Sequence, residues 1–161
     1  MELHPLVSAA IHGVDHEVMD CDPSLADTAA FCAHYRVDPA DSANTILVVS
    51  KKPAGVTAAC VALATTPLDP NHRVRDILGV RKLSFAGADE TVALTGMMIG
   101  GVTPFGLPRD LPVLIDAAVM TRPSIVLGGG NRSSKLRLVP HALLAIPTAR
   151  VVEALANPTF A

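Results

Sequence analysis

The sequence predicts an α+β domain with a mixed, mostly antiparallel β-sheet and flanking helices. Half of the 161 residues are hydrophobic, which is enough for a sizeable core in one domain. Short β-branched runs alternate irregularly with segments of helical periodicity, and two pairs of these runs are spaced like antiparallel neighbours. No repeat or long linker divides the chain, so we expect a single domain over residues 1–161.

Helix caps and hydrophobic periodicity predict the first secondary-structure elements. Residues 5–11 (PLVSAAI) have the pattern of a helix, and residues 14–20 (VDHEVMD) alternate like a strand. Ser24 as N-cap, with Asp27 three residues later, predicts a helix over residues 24–37.

A β-hairpin and a second capped helix are predicted next. Residues 45–50 (TILVVS) and 56–64 (VTAACVALA) have strand composition, and the KKPAG segment between them fits a hairpin connection. Asp69 as N-cap and Gly79 beyond the last turn then define a helix.

The second half combines further strands with short helices. The predicted strands are residues 82–86, 111–119, 124–130 and 135–139. The predicted helices are residues 87–96, closed by Gly96, and the two last segments, 140–146 (PHALLAI) and 149–156 (ARVVEALA).

Charge is divided unevenly along the chain. Residues 1–50 hold eight acidic residues and one basic residue, whereas residues 51–150 hold twelve basic and six acidic residues. A polyanion such as RNA would therefore meet the later part of the chain, although a mixed solvated surface would give the same counts.

Cysteine usage and hydropathy predict a reduced, cytoplasmic protein. Cys21, Cys32 and Cys60 form no C-x-x-C motif and suit small core positions. The uncharged run over residues 91–108 is too interrupted by Pro104 and Pro108 to predict a membrane span. The N-terminus lacks the basic and apolar regions of a signal peptide.

The usual side-chain motifs of catalysis are missing from the sequence. His12 and His16 have the i, i+4 spacing of some zinc ligands, but surface histidines explain them better, and we predict no metal and no cofactor. No G-x-S-x-G motif occurs. The segment GGGNRSSK (128–135) fails the phosphate-loop spacing. It suits either an anion or carbonyl site built from backbone amides, or a tight hairpin turn.

A second glycine-rich segment, LTGMMIGGVTPFGLP (94–108), contains G-x-x-x-G-x-x-x-P and no charge. Together with ILVV, LDPNHRVRDILGVRK, LIDAAV and VLGGGNRS, it resembles the YbaK/prolyl-tRNA-synthetase-associated editing-domain family. The resemblance runs from about Ser24 to the C-terminus, and several motifs agree in order.

This resemblance implies a fold and an activity. Members of the family serve translation fidelity by hydrolysing the ester between a small amino acid, such as Cys, Ala or Pro, and the terminal ribose of a tRNA. The implied fold is a mixed sheet with helices around it. The implied partners are the acceptor end of a tRNA and, for some members, an aminoacyl-tRNA synthetase. No cofactor and no membrane are implied.

The glycines of these segments are predicted to act in ester hydrolysis through their backbone N–H groups. Ester hydrolysis passes through an oxyanion, which backbone N–H donors stabilise. We therefore predict catalytic roles for Gly100, Gly101 and Asn44. The predicted substrate-binding residues are Gly96, Met98, Ile99, Pro104, Gly128, Gly129, Gly130 and Arg132. Simple core packing is the alternative for Met97, Met98 and Ile99.

Asn44 marks a departure from the family pattern. Active members carry a lysine at the start of the strand that reads TILVV here, and Asn supplies a weaker, uncharged hydrogen bond. Arg132 or Lys135 could supply the cation instead, or both could be solvated turn residues. The chain is then either a free-standing deacylase or a weak or inactive binding or regulatory module. A gain in rate for Asn44→Lys would show that the pocket is intact and that only the cation is missing. Asp116 is predicted to anchor a strand end.

Overall fold

The computed structural model describes residues 2–156, whose strands form two sheets. The helices are α1 (Pro5–Ala10), α2 (Thr28–Tyr35), α3 (Arg75–Leu78) and α4 (Ala88–Thr95). The strands are β1 (Glu17–Asp20), β2 (Ala43–Lys52), β3 (Ala54–Leu63), β4 (Lys82–Phe85), β5 (Val113–Asp116), β6 (Ile125–Gly128), β7 (Ser134–Leu138) and β8 (Ala149–Val152). Five shorter helical turns, of the 3₁₀ or π type, connect these elements.

The larger sheet has the order β4-β2-β3-β5-β8, and the smaller has the order β1-β7-β6. Pairing is antiparallel except for β3–β5 and β5–β8, which are parallel. A parallel bridge between Ser42 and Val126 brings the beginning of β2 beside β6. The predicted α+β class with mixed, mostly antiparallel pairing is confirmed, with the strands divided between two sheets.

The main hydrophobic core joins the two sheets and the N-terminal helix. Val7 of α1, Leu47 of β2 and Ile115 of β5 pack in one buried cluster with Leu127 of β6 and Leu136 of β7. Because these side chains come from both sheets, their burial holds β6 and β7 against β2. This packing forms the walls of the candidate site.

Several local predictions are confirmed. β2 and β3 form the predicted hairpin, in antiparallel register from Ala43↔Leu63. Asp69 caps its helical turn by accepting from the Asn71 amide, and Gly79 ends α3 in the left-handed conformation, with φ of +67°. The helix over this segment is interrupted by non-helical backbone at Asn71 and His72, so regular α-helix is confined to α3.

The predicted N-cap at Ser24 is wrong. Asp22 caps a 3₁₀ turn there, accepting from both the Ser24 amide and its hydroxyl, and α2 begins four residues after Ser24 with Asp27 as its N-cap. The Ser24 hydroxyl donates to Asp22. Because the Asp22 carboxylate is a stronger acceptor than the Ser24 hydroxyl, Asp22 caps this turn.

The predicted C-terminal helix over residues 149–156 is also wrong. Its first part is β8, which pairs in parallel with β5 from Val113↔Ala149 to Asp116↔Val152. The neighbouring strand satisfies the backbone there, and Val152 is buried in a second core cluster. Tertiary pairing thus overrides local helix propensity. The PHALLAI segment is helical as predicted, but as a 3₁₀ helix over Pro140–Ala145.

Asp116 lies at the end of β5 and is only 3% exposed. Its Oδ1 accepts from the Leu155 amide at 3.2 Å. Burial raises the pKa of Asp116 above its usual value, while hydrogen bonds from the Leu155, Ala156 and Ala118 amides act in the opposite direction. The carboxylate thus ties the chain after β8 to β5.

We expect Asp116→Ala to lower the free energy of unfolding by about 1–3 kcal/mol, because it leaves a buried backbone N–H without its acceptor. Urea denaturation measures this loss, and Asp110→Ala, an exposed loop position, is the control. The substitution should leave the cavity described below unchanged, since Asp116 does not line it. A stability equal to that of the parent chain would refute the anchoring role.

Among residues 2–156, no helix is both long enough and apolar enough to cross a bilayer.

Candidate functional site

A cavity of about 370 Å³ opens between the two sheets, beside the N-terminus of α2. The loop that precedes β5, the end of β4 and the beginning of β2 complete its walls. Most lining side chains are apolar. Its polar lining side chains are those of Asp27, Thr28, Ser42, Asn44, Thr45, Thr91 and Lys135. A polar minority in an apolar concave site is typical of a ligand pocket.

Lys135 is the cation of this cavity. It lies on β7, is only 7% exposed, and its Nζ donates to the Ala26 carbonyl at 2.8 Å and the Gly100 carbonyl at 2.9 Å. The Nζ also lies 5.1 Å from the centre of the Phe31 ring. An ammonium group has three donors, so these two bonds leave one for a ligand. Burial lowers the pKa of Lys135 from its ordinary value of 10.5.

The two glycine-rich segments adjoin each other beside Lys135. The Gly130 amide donates to the Gly101 carbonyl at 2.7 Å. A Cβ on Gly128 would lie 2.4 Å from the Gly101 oxygen, and one on Gly101 would lie 2.1 Å from the Asn131 oxygen. These positions require glycine because the two backbones are in direct contact.

Internal hydrogen bonds occupy most of the glycine amides. Those of Gly101, Gly129 and Gly130 donate to the Met98, Ser134 and Gly101 carbonyls. By contrast, no backbone carbonyl of residues 2–156 accepts from the Gly100 amide. Gly100 also lines the cavity. Its N–H is therefore a glycine donor that a ligand in the cavity can meet.

Arg132 fixes the orientation of this amide. Its Nη1 donates to the Ile99 carbonyl at 2.9 Å, and its Nε donates to the Pro23 carbonyl at 3.1 Å. The Ile99 carbonyl and the Gly100 N–H belong to one trans peptide, in which they point in opposite directions. Arg132 does not line the cavity. Holding the carbonyl toward Arg132 therefore directs the Gly100 N–H away from Arg132.

Asn44 lines the same cavity as Lys135 but makes a different contact. Its Oδ1 accepts from the Thr28 hydroxyl at 2.7 Å, which connects β2 to the start of α2. Two strands thus bring an amide and a buried cation to one cavity. Lys51 and Lys52 are exposed in the β2–β3 hairpin and do not line it.

The other predicted site residues divide into two groups. Ile99 and Gly128 line the cavity with Gly100 and Asn44, and Ile99 is half exposed at its edge. Of the neighbouring methionines, Met97 is fully buried in the core and Met98 is half exposed outside the lining. Also outside the lining are Gly96, Gly101, Pro104, Gly129, Gly130 and Arg132.

Asp27, Phe31 and Phe85 line the cavity but were not predicted from the sequence. Asp27 was assigned only to a helix start, and neither phenylalanine belongs to a recognisable motif. Asp27 and Phe31 lie one turn apart at the start of α2, whereas Phe85 comes from β4, and only the packing of α2 and β4 around the cavity brings the three together.

The cysteines and histidines take no part in this site. Cys21, Cys32 and Cys60 are buried, and burial raises the pKa of all three thiols, that of Cys60 to about 12. His12 and His16 are exposed. No group of three or more potential metal ligands occurs in the part of the chain that the structure describes.

Comparison with known families decides the classification. The family model for the aminoacyl-tRNA editing domain matches residues 22–146. The chain belongs to this family. The matched range includes both glycine-rich segments and Lys135. The general function of the family is of the aminoacyl-tRNA deacylase type.

Two curated relatives match parts of the editing domain. The "Uncharacterized protein YwhH" of Bacillus subtilis is 32% identical over 83 residues, 52% of each chain. The "Putative Cys-tRNA(Pro)/Cys-tRNA(Cys) deacylase EbsC" of Enterococcus faecalis is 24% identical over 75 residues, 47% of this chain and 46% of the relative. The matched segments thus span about half the length of these relatives.

Solved structures show the same fold as the editing domain. A "putative trans-editing enzyme for prolyl tRNA synthetase" superposes with a TM-score of 0.79 at 22% identity, covering 94% of this chain and 98% of the other. The "hypothetical protein APE2540" superposes with a TM-score of 0.82 at 24% identity, covering 94% and 99%. At these identities the likeness establishes the fold.

Proposed function

We propose that this editing domain hydrolyses the ester that joins a small amino acid to the terminal ribose of a mischarged tRNA. The observation that carries the proposal is the buried ammonium of Lys135, bonded to the Gly100 carbonyl inside a largely apolar cavity. Its remaining donor and the Gly100 N–H would both meet the ester carbonyl oxygen.

The reaction needs no protein nucleophile. Water adds to the ester carbon, the carbonyl oxygen becomes an oxyanion, and the carbon–oxygen bond to the ribose then breaks. The ribose oxygen takes up the proton that the water releases. The Lys135 and Gly100 donors stabilise the negative oxygen, and one such donor is worth roughly 3 kcal/mol.

Lys135 then compensates for the lysine that is missing at Asn44. The cation comes from β7 instead of β2, and Asn44 binds Thr28. Phe31 and the two carbonyls hold the ammonium in place, so little reorganisation is needed when charge develops. On this proposal the acceptor end of the tRNA is the partner, and a synthetase could supply further tRNA contacts.

A weak or inactive binding module is the second candidate. Asn44 favours it, because its amide carries no charge and its oxygen is already bonded to Thr28. Such a module would bind tRNA or a related ligand in the same cavity without accelerating hydrolysis.

Deacylation assays separate the two candidates. The chain is incubated with Cys-, Ala- and Pro-charged tRNA, and the loss of each acyl group is compared with the spontaneous loss. We expect acceleration for at least one of the three. No acceleration for any of them, with tRNA binding retained, would refute the deacylase and support the binding module.

Asn44→Lys is a sharper test of how the cation is supplied. Lys135 already lies in the same cavity, and the variant also loses the Thr28 contact, so we expect no gain in rate. Single-turnover deacylation measures this, with Ala54→Lys in the exposed hairpin as the control that adds the same charge outside the cavity. A rate increase of tenfold or more, on the order expected for a new charged donor, would show that Lys135 does not replace the family lysine.

A further inference from the structure

We propose that Asp27 selects aminoacyl esters whose α-amino group is free and protonated, over esters in which that group is acylated. This inference rests on the proposed deacylase function and defines the substrate class of the same cavity. The ligand feature is an ammonium one carbon away from the ester carbonyl.

Among the cavity-lining residues in the described range 2–156, Asp27 is the one with an acidic side chain. Its Oδ1 would lie 3.2 Å from a Cβ on Gly100, so the carboxylate is next to the Gly100 backbone. The side chain is 73% exposed and thus accessible to a ligand that enters the cavity.

The two charges of the cavity both lie next to Gly100. Lys135 binds the Gly100 carbonyl from within the fold, and Asp27 approaches the Gly100 Cα from the N-terminus of α2. An aminoacyl ester has the complementary arrangement, with a developing negative oxygen and an ammonium separated by two carbon atoms. A carbonyl oxygen at the Lys135 and Gly100 donors therefore brings the ammonium toward Asp27.

A capping role does not account for the position of Asp27. It is the N-cap residue of α2, yet its side chain makes no capping hydrogen bond. Its Oδ1 instead accepts from Arg132 Nη1 at 3.3 Å, and that nitrogen also donates to the Ile99 carbonyl. Arg132 thus holds the Asp27 carboxylate at the cavity, although its Nη1 divides its donation between that carboxylate and the Ile99 carbonyl. The second carboxylate oxygen can then bind an ammonium.

The first test compares hydrolysis of Ala-tRNA and N-acetyl-Ala-tRNA by the parent chain and by Asp27→Asn. We expect the parent chain to prefer the free amine and the variant to lose about tenfold in kcat/KM on Ala-tRNA, as for a charge-assisted hydrogen bond. Its rate on the acetylated substrate should not change. Asp27→Glu should restore part of the preference, and Asp15→Asn, at an exposed position outside the cavity, should have no effect.

Equal losses on both substrates would overturn the inference, because they would mean that Asp27 only positions Arg132. An unchanged preference in Asp27→Asn would overturn it as well.

A binding measurement separates failure of this inference from failure of the deacylase proposal. Calorimetry uses 3′-alanylamino-3′-deoxyadenosine, whose amide linkage resists hydrolysis, and its N-acetyl derivative. We expect the parent chain to bind the free amine about tenfold more tightly and Asp27→Asn to bind both equally. Selective binding without hydrolysis of any tRNA would refute the deacylase alone. Hydrolysis without selectivity in either measurement would refute the role of Asp27 alone.

Discussion

Replacing Lys135 with methionine is expected to slow aminoacyl-ester hydrolysis by about 10²- to 10³-fold, the usual loss when one oxyanion donor is removed. Methionine fills similar space but cannot donate to the ester oxygen or to the Gly100 carbonyl. The effect should appear in kcat, because the interaction strengthens as negative charge develops. Single-turnover deacylation of the tRNA that the parent chain accepts measures it.

Lys82→Met is the matched control, since Lys82 lies exposed on β4 and outside the cavity. Its rate should equal that of the parent chain. Circular dichroism of Lys135→Met verifies that the fold is retained. A folded Lys135→Met variant with parental kcat would eliminate Lys135 from the reaction.

The pH profile gives a second measure of the same cation. Burial lowers the pKa of Lys135 below 10.5, so its charge is lost as the pH rises through that lowered value. The ratio of the enzymatic to the spontaneous rate, which corrects for hydroxide attack, should therefore fall in the alkaline range. Whatever activity Lys135→Arg retains should not fall in this way, because a guanidinium stays charged.

Gly100→Ala is expected to lower the deacylation rate by about 10²-fold or more, through the geometry of one amide. Gly100 has φ of +93°, and an added Cβ would lie 2.1 Å from Arg132 Nη1. The guanidinium would have to leave the Ile99 carbonyl, which frees the peptide that carries the Gly100 N–H to turn. Deacylation and urea denaturation are measured on the same preparation.

Gly55→Ala separates strain from catalysis. Gly55 has a similar φ of +102° in the β2–β3 hairpin, but an added Cβ meets no atom within 4 Å. Both variants should lose about 1–2 kcal/mol of stability through backbone strain. Only Gly100→Ala should lose activity, and equal activities of the two variants would contradict the role of the Gly100 amide.

Local patterns in the sequence determined much of this fold. The β2–β3 hairpin, the Asp69 cap and the Gly79 and Gly96 helix ends each depend on residues within a few positions of one another. The ordered glycine motifs also indicated the family that the comparison established. Such features are readable because backbone conformation and nearest-neighbour hydrogen bonds decide them.

Local rules failed where another group, from a distant strand or from a close neighbour, offered a competing hydrogen bond. Helical periodicity suggested a helix after Thr148, but β5 offered a parallel edge and produced β8. At Ser24 a neighbouring carboxylate took the capping role. In both places a hydrogen bond to another group outweighed propensity, which differs by less than about 1 kcal/mol between ordinary residues.

By itself the sequence determined the fold class, the glycine segments and the absence of a lysine at Asn44. Only the tertiary structure decided that Lys135 is buried in the cavity, where it bonds to Ala26, 109 residues away, and to Gly100, 35 residues away. The contact of Asp27 with Arg132 spans 105 residues. A cation's solvation, and hence its pKa and its partners, depends on which segments surround it, and that is fixed only when the two sheets pack together.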